Sequence, residues 1–169
     1  MIPSDHFVFF YNEIFKYLEG IGPEALDRYY ARVADRQAFF TLDAFKKNGL
    51  KGMYDYWERI RFEENCDSVN ELNEEAGYYQ SRQNKCPSLT KAMESDAGQC
   101  LSYCRHCLGW VLRVFTAAGY YCIFNVKSWT VAQCAKFVTR DRALAEAKKK
   151  EWIEEFGADL IFDNLDKLP

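Results

Sequence analysis

Apolar residues recur every three or four positions along the first third of the chain. Phe7, Phe10, Tyr11, Ile14, Phe15 and Leu18 follow i, i+3, i+4, i+7 spacing closely enough to draw one helix face. Ser4 and Asp5 stand where an N-cap would accept backbone N–H groups, and Gly20 and Gly22 mark the end. Pro23 suits a first helical turn, where its missing N–H leaves nothing unpaired. It opens a second helix through Leu26, Tyr30, Val33, Ala34 and Phe40 towards Phe45. Asn48-Gly49 breaks that helix. Met53, Tyr56, Trp57 and Ile60 then form another stripe between Gly52 and Glu64. Core packing is the simplest use of all these aromatics.

The period then changes. Residues 65–77 are polar and predict a loop, and Tyr78 to Gln83 reads as a strand of imperfect alternation. Pro87 disfavours helix at Cys86 but fits the next first turn, so Cys86 falls at an N-cap before a short helix from Leu89 to Met93. After a loop at Ser95 to Gly98, a long helix is expected from Cys100 to Ala118, stopped by Gly119. Tyr120 to Val126 and Val131 to Thr139 predict two strands around a turn at Lys127-Ser128. Asp141 caps a last helix, Arg142 to Phe156, which Gly157 closes. No repeat or linker interrupts the chain. The expectation is one α+β domain over 1–169: a helical part (1–65), a cysteine-rich α+β part (70–140) and a C-terminal helix (141–169). The helical half packs on a small, largely antiparallel sheet with further helices.

Composition narrows the function classes. At 169 residues the chain can bury a core without staples. Its net charge of −3 lacks the basic footprint that nucleic acid requires. No apolar stretch is long enough for a membrane helix. Met1 to Asp5 lacks the cationic region of a secretory signal, so a cytoplasmic protein is expected. Oligomeric state is not legible. Seven cysteines (66, 86, 100, 104, 107, 122 and 134), an odd number, favour free thiols or a metal site over a disulfide scaffold.

Those cysteines are the candidate chemistry. A helix N-terminus lowers a thiol's pKa and its free N–H groups can hold an oxyanion, which suits Cys86 to nucleophilic attack. Cys100, Cys104 and Cys107 share one face if their helix is continuous, and could simply line a core. His106 would then point elsewhere. If the helix begins near His106 instead, imidazole and thiols can converge. With His6 on the first helix, His106 is the nearby general-base candidate. Cys104-x-x-Cys107 is also half of a zinc knuckle that Cys86 and Cys134 could complete. The cofactor expectation is therefore none or zinc. The Cys100, Cys104 and Cys107 spacing also matches that of radical iron–sulfur enzymes, whose larger barrels carry the triad near their start. Arg82 or Arg105 could pair with an anionic small-molecule substrate. Tyr103, Trp110 and Asn125 are the other candidate binding residues.

Lys85-Cys86-Pro87-Ser88-Leu89, the run Tyr103-Cys104-Arg105-His106-Cys107-Leu108-Gly109-Trp110, and Gly119 to Phe137 around Cys134 together resemble a known family. The likeness is to the L-2-amino-thiazoline-4-carboxylic acid hydrolases, over roughly residues 70 to 140. It implies hydrolytic opening of a C–N bond in a cyclic amidine. Joined to the residue reading, Cys86 would add to the amidine carbon, His106 would move protons, and Arg82 or Arg105 would hold the substrate carboxylate. Cys104, Cys107 and Cys134 would line the pocket or bind a metal. The competing expectation is a non-catalytic cysteine-rich domain binding zinc or a small ligand.

Overall fold

The computed structural model describes residues 5–168. Two helices open the chain, α1 (Asp5–Ile21) and α2 (Pro23–Glu63), with Pro23 in the first turn of α2. The expected cap Ser4 lies outside the described residues. The break expected at Asn48-Gly49 is a kink, not an end. Gly49 sits at φ 60°, ψ −140°, and the helix resumes beyond it. Glycine alone takes that conformation without strain.

The expected loop at 65–77 is corrected. It contains β1 (Asp67–Asn73), joined by a turn at Gly77 to β2 (Tyr78–Lys85). Its apolar residues do not alternate, which hid it: Val69 faces solvent, Asn70 points inward, and only Leu72 joins the core. Asn70 is satisfied there, donating to Glu58 Oε1 at 2.7 Å and accepting from the Tyr79 hydroxyl at 2.9 Å. As an edge strand, β1 needs only backbone pairing with β2.

A short helix, α3 (Pro87–Met93), follows. The long helix α4 (Arg105–Ala118) starts later than Cys100, and Leu101 to Cys104 form turns instead. Asn12 of α1 causes this by gripping the segment. Its Oδ1 accepts the Cys100 N–H at 2.7 Å, and its Nδ2 donates to the Gly98 carbonyl at 2.8 Å. Then come β3 (Tyr121–Ser128), β4 (Val131–Thr139), α5 (Arg142–Phe156) and a short β5 (Ile161–Asp163). The Asp141 side chain caps α5 by accepting from the Leu144 N–H at 3.1 Å.

The architecture is α+β, with the helical N-terminal half against one antiparallel five-stranded sheet of order β1-β2-β4-β3-β5. Helices α2 and α4 cover one sheet face, where Phe45, Met53 and Phe115 meet Tyr79, Cys122, Val126 and Val138. Helix α5 covers the other, with Trp152 against Ile123, Phe137 and Ile161. A third cluster joins α1 and α2 to Leu89, Cys100 and Tyr103. No helix among the described residues is long and apolar enough to cross a membrane.

Helices α2 and α4 approach each other closely at Gly109, where an added Cβ would lie 2.6 Å from both Cβ and Cγ of Tyr30. Those atoms are the stem of a buried ring and cannot swing aside. Gly109→Ala is expected to destabilise the fold by about 1–3 kcal/mol, as overpacking does, read as a lowered urea midpoint.

Candidate active site

A cavity of about 300 Å³ lies between the helical layer and the sheet. Period-two alternation supplies one wall. Cys134 and Lys136 of β4 face the helices beside Val138, and their antiparallel partners Gln83 and Ser81 of β2 share that face. Trp57 of α2, His106, Cys107 and Trp110 of α4, and Cys86 before α3 complete it. The Trp57 and Trp110 rings lie parallel, 6.2 Å apart and 6° from coplanar orientation.

The late start of α4 decides the chemistry, because it turns His106 towards a thiol. His106 Nδ1 is 2.6 Å from the Tyr103 carbonyl oxygen. A carbonyl only accepts, so Nδ1 carries the proton and Nε2 offers its lone pair. Cys107 Sγ lies 3.3 Å from that Nε2 and donates its S–H. The ring is held in place by Phe15, stacked at 5.3 Å, and by the Tyr103 ring edge. Burial lowers the His106 pKa from its ordinary value and pushes Cys107 up to about 11, against a smaller lowering by Lys136. The resting pair is a neutral thiol on a neutral imidazole.

Cys86 occupies the predicted N-cap of α3, and its Sγ accepts the Leu89 N–H at 3.5 Å. The expectation of a depressed pKa is corrected. Burial comes first and the Cys107 sulfur second, and together they outweigh the Leu89 and Ser88 amides, leaving the thiol at about 11. Cys104 is pushed by burial to about 12 and packs between two apolar clusters, away from the cavity lining. Cys134 is raised well above its ordinary value, again by burial. Among the described residues no group of three or more His, Cys, Asp or Glu side chains is disposed to hold a metal ion.

The expected binding residues scatter. Arg82 and Asn125 flank Ala135 in register, which puts them on the opposite sheet face from Lys136. Arg82 is exposed there, and Asn125 is buried with its Nδ2 unpartnered. Arg105 is also exposed, its guanidinium 5.9 Å from the Trp129 ring, and lines a separate surface cavity. Tyr103 is buried and reaches the site indirectly, its hydroxyl 2.6 Å from Ser88 Oγ. Trp110 alone of the five lines the cavity.

The buried cation on the wall is Lys136, which the sequence reading passed over; Arg61 lines the cavity too, but is paired with Glu58. It is 8% exposed, with Nζ 4.1 Å from the Trp57 ring centroid and 5.8 Å from that of Tyr79. Its Nζ forms no hydrogen bond or ion pair with any described residue. Burial lowers its pKa from the ordinary 10.5 to about 8. The signal was available: within the predicted strand, Lys136 shares its face with Cys134 and Val138, where a solvated lysine does not belong. No protein-family profile, curated protein or solved structure matches this chain.

Proposed function

We propose that this cavity is the active site of a cysteine hydrolase that opens a C–N bond of a small anionic cyclic amidine, such as a 2-aminothiazoline carboxylate. Cys107, rather than Cys86, is its nucleophile. The observation that carries the reading is the 3.3 Å contact between Cys107 Sγ and His106 Nε2, with the imidazole tautomer fixed by Tyr103. A nucleophile within reach of a base, itself oriented by a third group, is the arrangement that activates a weak nucleophile.

In this mechanism the Cys107 sulfur bonds to the amidine carbon as His106 Nε2 takes the thiol proton. The imidazolium then gives that proton to the ring nitrogen, and the ring C–N bond breaks. A water attacks the resulting thioimidate carbon, with His106 again removing the proton. The carbon–sulfur bond breaks and the Cys107 thiol is restored, so one water is consumed and one C–N bond cleaved. The ammonium form of Lys136 draws the substrate's anionic group into the cavity, the role first given to Arg82 or Arg105. A cavity of about 300 Å³ suits a single small ring, at the low end of ligand pockets.

The test is hydrolysis of 2-aminothiazoline-4-carboxylate by protein purified without chelator, with the metal content of the same preparation. Turnover by metal-free protein is the expected result, with a transient adduct located on Cys107 by peptide mass analysis. Stoichiometric zinc, with unfolding on chelation and no turnover, would replace this reading with the cysteine-rich zinc-binding domain.

A further inference from the structure

We infer that Lys136 is an amine nucleophile whose Nζ condenses reversibly with the carbonyl of a small aldehyde or 2-oxo acid entering the cavity, forming a Schiff base. The hydrolytic cycle does not need this chemistry, and the inference does not rest on that cycle. It rests on where the amine stands. Lys136 projects from a central strand, more than nine-tenths buried, over the indole face of Trp57 and onto the cavity wall. An ammonium there has three donors and no described acceptor, which favours the neutral amine that can attack carbon.

Arg61 and Glu64 also line the cavity, but the titratable groups that act on Lys136 itself are thiols. Cys134 from its own strand, Cys122 from β3, Cys107 from α4, Cys66 between α2 and β1, and Tyr79 from β2 are all raised by burial and keep their protons at neutral pH. Burial on the cavity wall disfavours the ammonium, so Lys136 holds a larger share of free amine than a solvated lysine does. Ser81, paired opposite Lys136 across β2 and β4, lines the same wall and brings a hydroxyl for proton transfer in the carbinolamine.

The step balances without a co-reactant. Nζ bonds to the carbonyl carbon, the carbonyl oxygen leaves as water with two protons from the nitrogen, and the carbon–nitrogen double bond remains. The ammonium form attracts a 2-oxo acid by charge, and the free amine then reacts.

The test traps the imine. Intact protein is incubated with glyoxylate and sodium cyanoborohydride near neutral pH, quenched early and mapped by peptide mass. Lys136 should carry the carboxymethyl group first, at least roughly tenfold ahead of Lys150, whose side chain is 80% exposed. Lys136→Met and Lys136→Arg should each lose the fast site, the arginine variant covering the case in which methionine disturbs folding. Labelling of Lys150 and other exposed lysines with Lys136 unmodified would overturn the inference. So would an undiminished fast phase in both variants. Neither outcome bears on amidine hydrolysis, which is measured separately.

Discussion

Cys107→Ala is expected to lower kcat for amidine opening by at least about 10²–10³-fold, while Cys86→Ala costs less than about tenfold. The two thiols have nearly the same pKa, about 11, so acidity does not separate them. Geometry does. The Cys107 proton already points at a nitrogen lone pair 3.3 Å away, and removing it as the carbon–sulfur bond forms avoids a free buried thiolate. The Cys86 sulfur is engaged instead by the Leu89 N–H, and His106 is committed elsewhere. His106→Asn keeps a donor near the Nδ1 position but has no base at Nε2. It should lose about as much as Cys107→Ala, and the double variant little more, because one proton-transfer unit is removed in each case. Since burial lowers the His106 pKa, the acid limb of kcat/KM should fall below the ordinary imidazole range. Steady-state kinetics on the three single variants decide the matter. If Cys86→Ala is inactive and Cys107→Ala is not, Cys86 is the nucleophile as the sequence implied.

What the sequence revealed and hid follows from which signals are local. Cys86 at an N-cap, the Asp141 cap and the full extent of β4 were legible because Pro87, Asp141 and the turn at Lys127-Ser128 act on their own neighbours. The start of α4 was not. Asn12, far away in sequence, holds Gly98 and Cys100 by side-chain hydrogen bonds and keeps the next residues in turns, against a helix-compatible pattern. Strand β1 was lost because only Leu72 of its inward residues is apolar, while Asn70 beside it is polar and satisfied by Glu58 and Tyr79, so its burial leaves little apolar trace. The candidate site was half visible. His106 and the thiols stood out by type. Choosing between Arg82 and Lys136 required only asking which strand face each occupies, since Arg82 pairs with Ala135 and Ser81 with Lys136.

Lys136→Met is expected to make the folded chain about 2 kcal/mol more stable at pH 7 while removing its amine chemistry and its attraction for anions. A lowering from 10.5 to about 8 corresponds to about 3 kcal/mol at roughly 1.36 kcal/mol per pKa unit. Loss of the cation over the Trp57 ring, 4.1 Å away, offsets about 1 kcal/mol of that. The sign follows from proton binding. Between about pH 8 and 10.5 the unfolded chain holds a proton on this lysine that the folded chain has released. Stability from this group therefore rises with pH across that window, and the penalty is present in full only below it. The buried thiols act oppositely. Cys86 and Cys107 at about 11 and Cys104 at about 12 stay protonated when folded, but ionise from about 8.5 once unfolded, so both proteins weaken in alkali. The measurement is thus the difference between wild type and variant in urea unfolding, taken at pH 7 and pH 9.5. It should shrink by about 2 kcal/mol over that interval, to near zero. A variant less stable than wild type at pH 7, or a difference that does not change with pH, would mean that Lys136 is not held as a strained cation over Trp57.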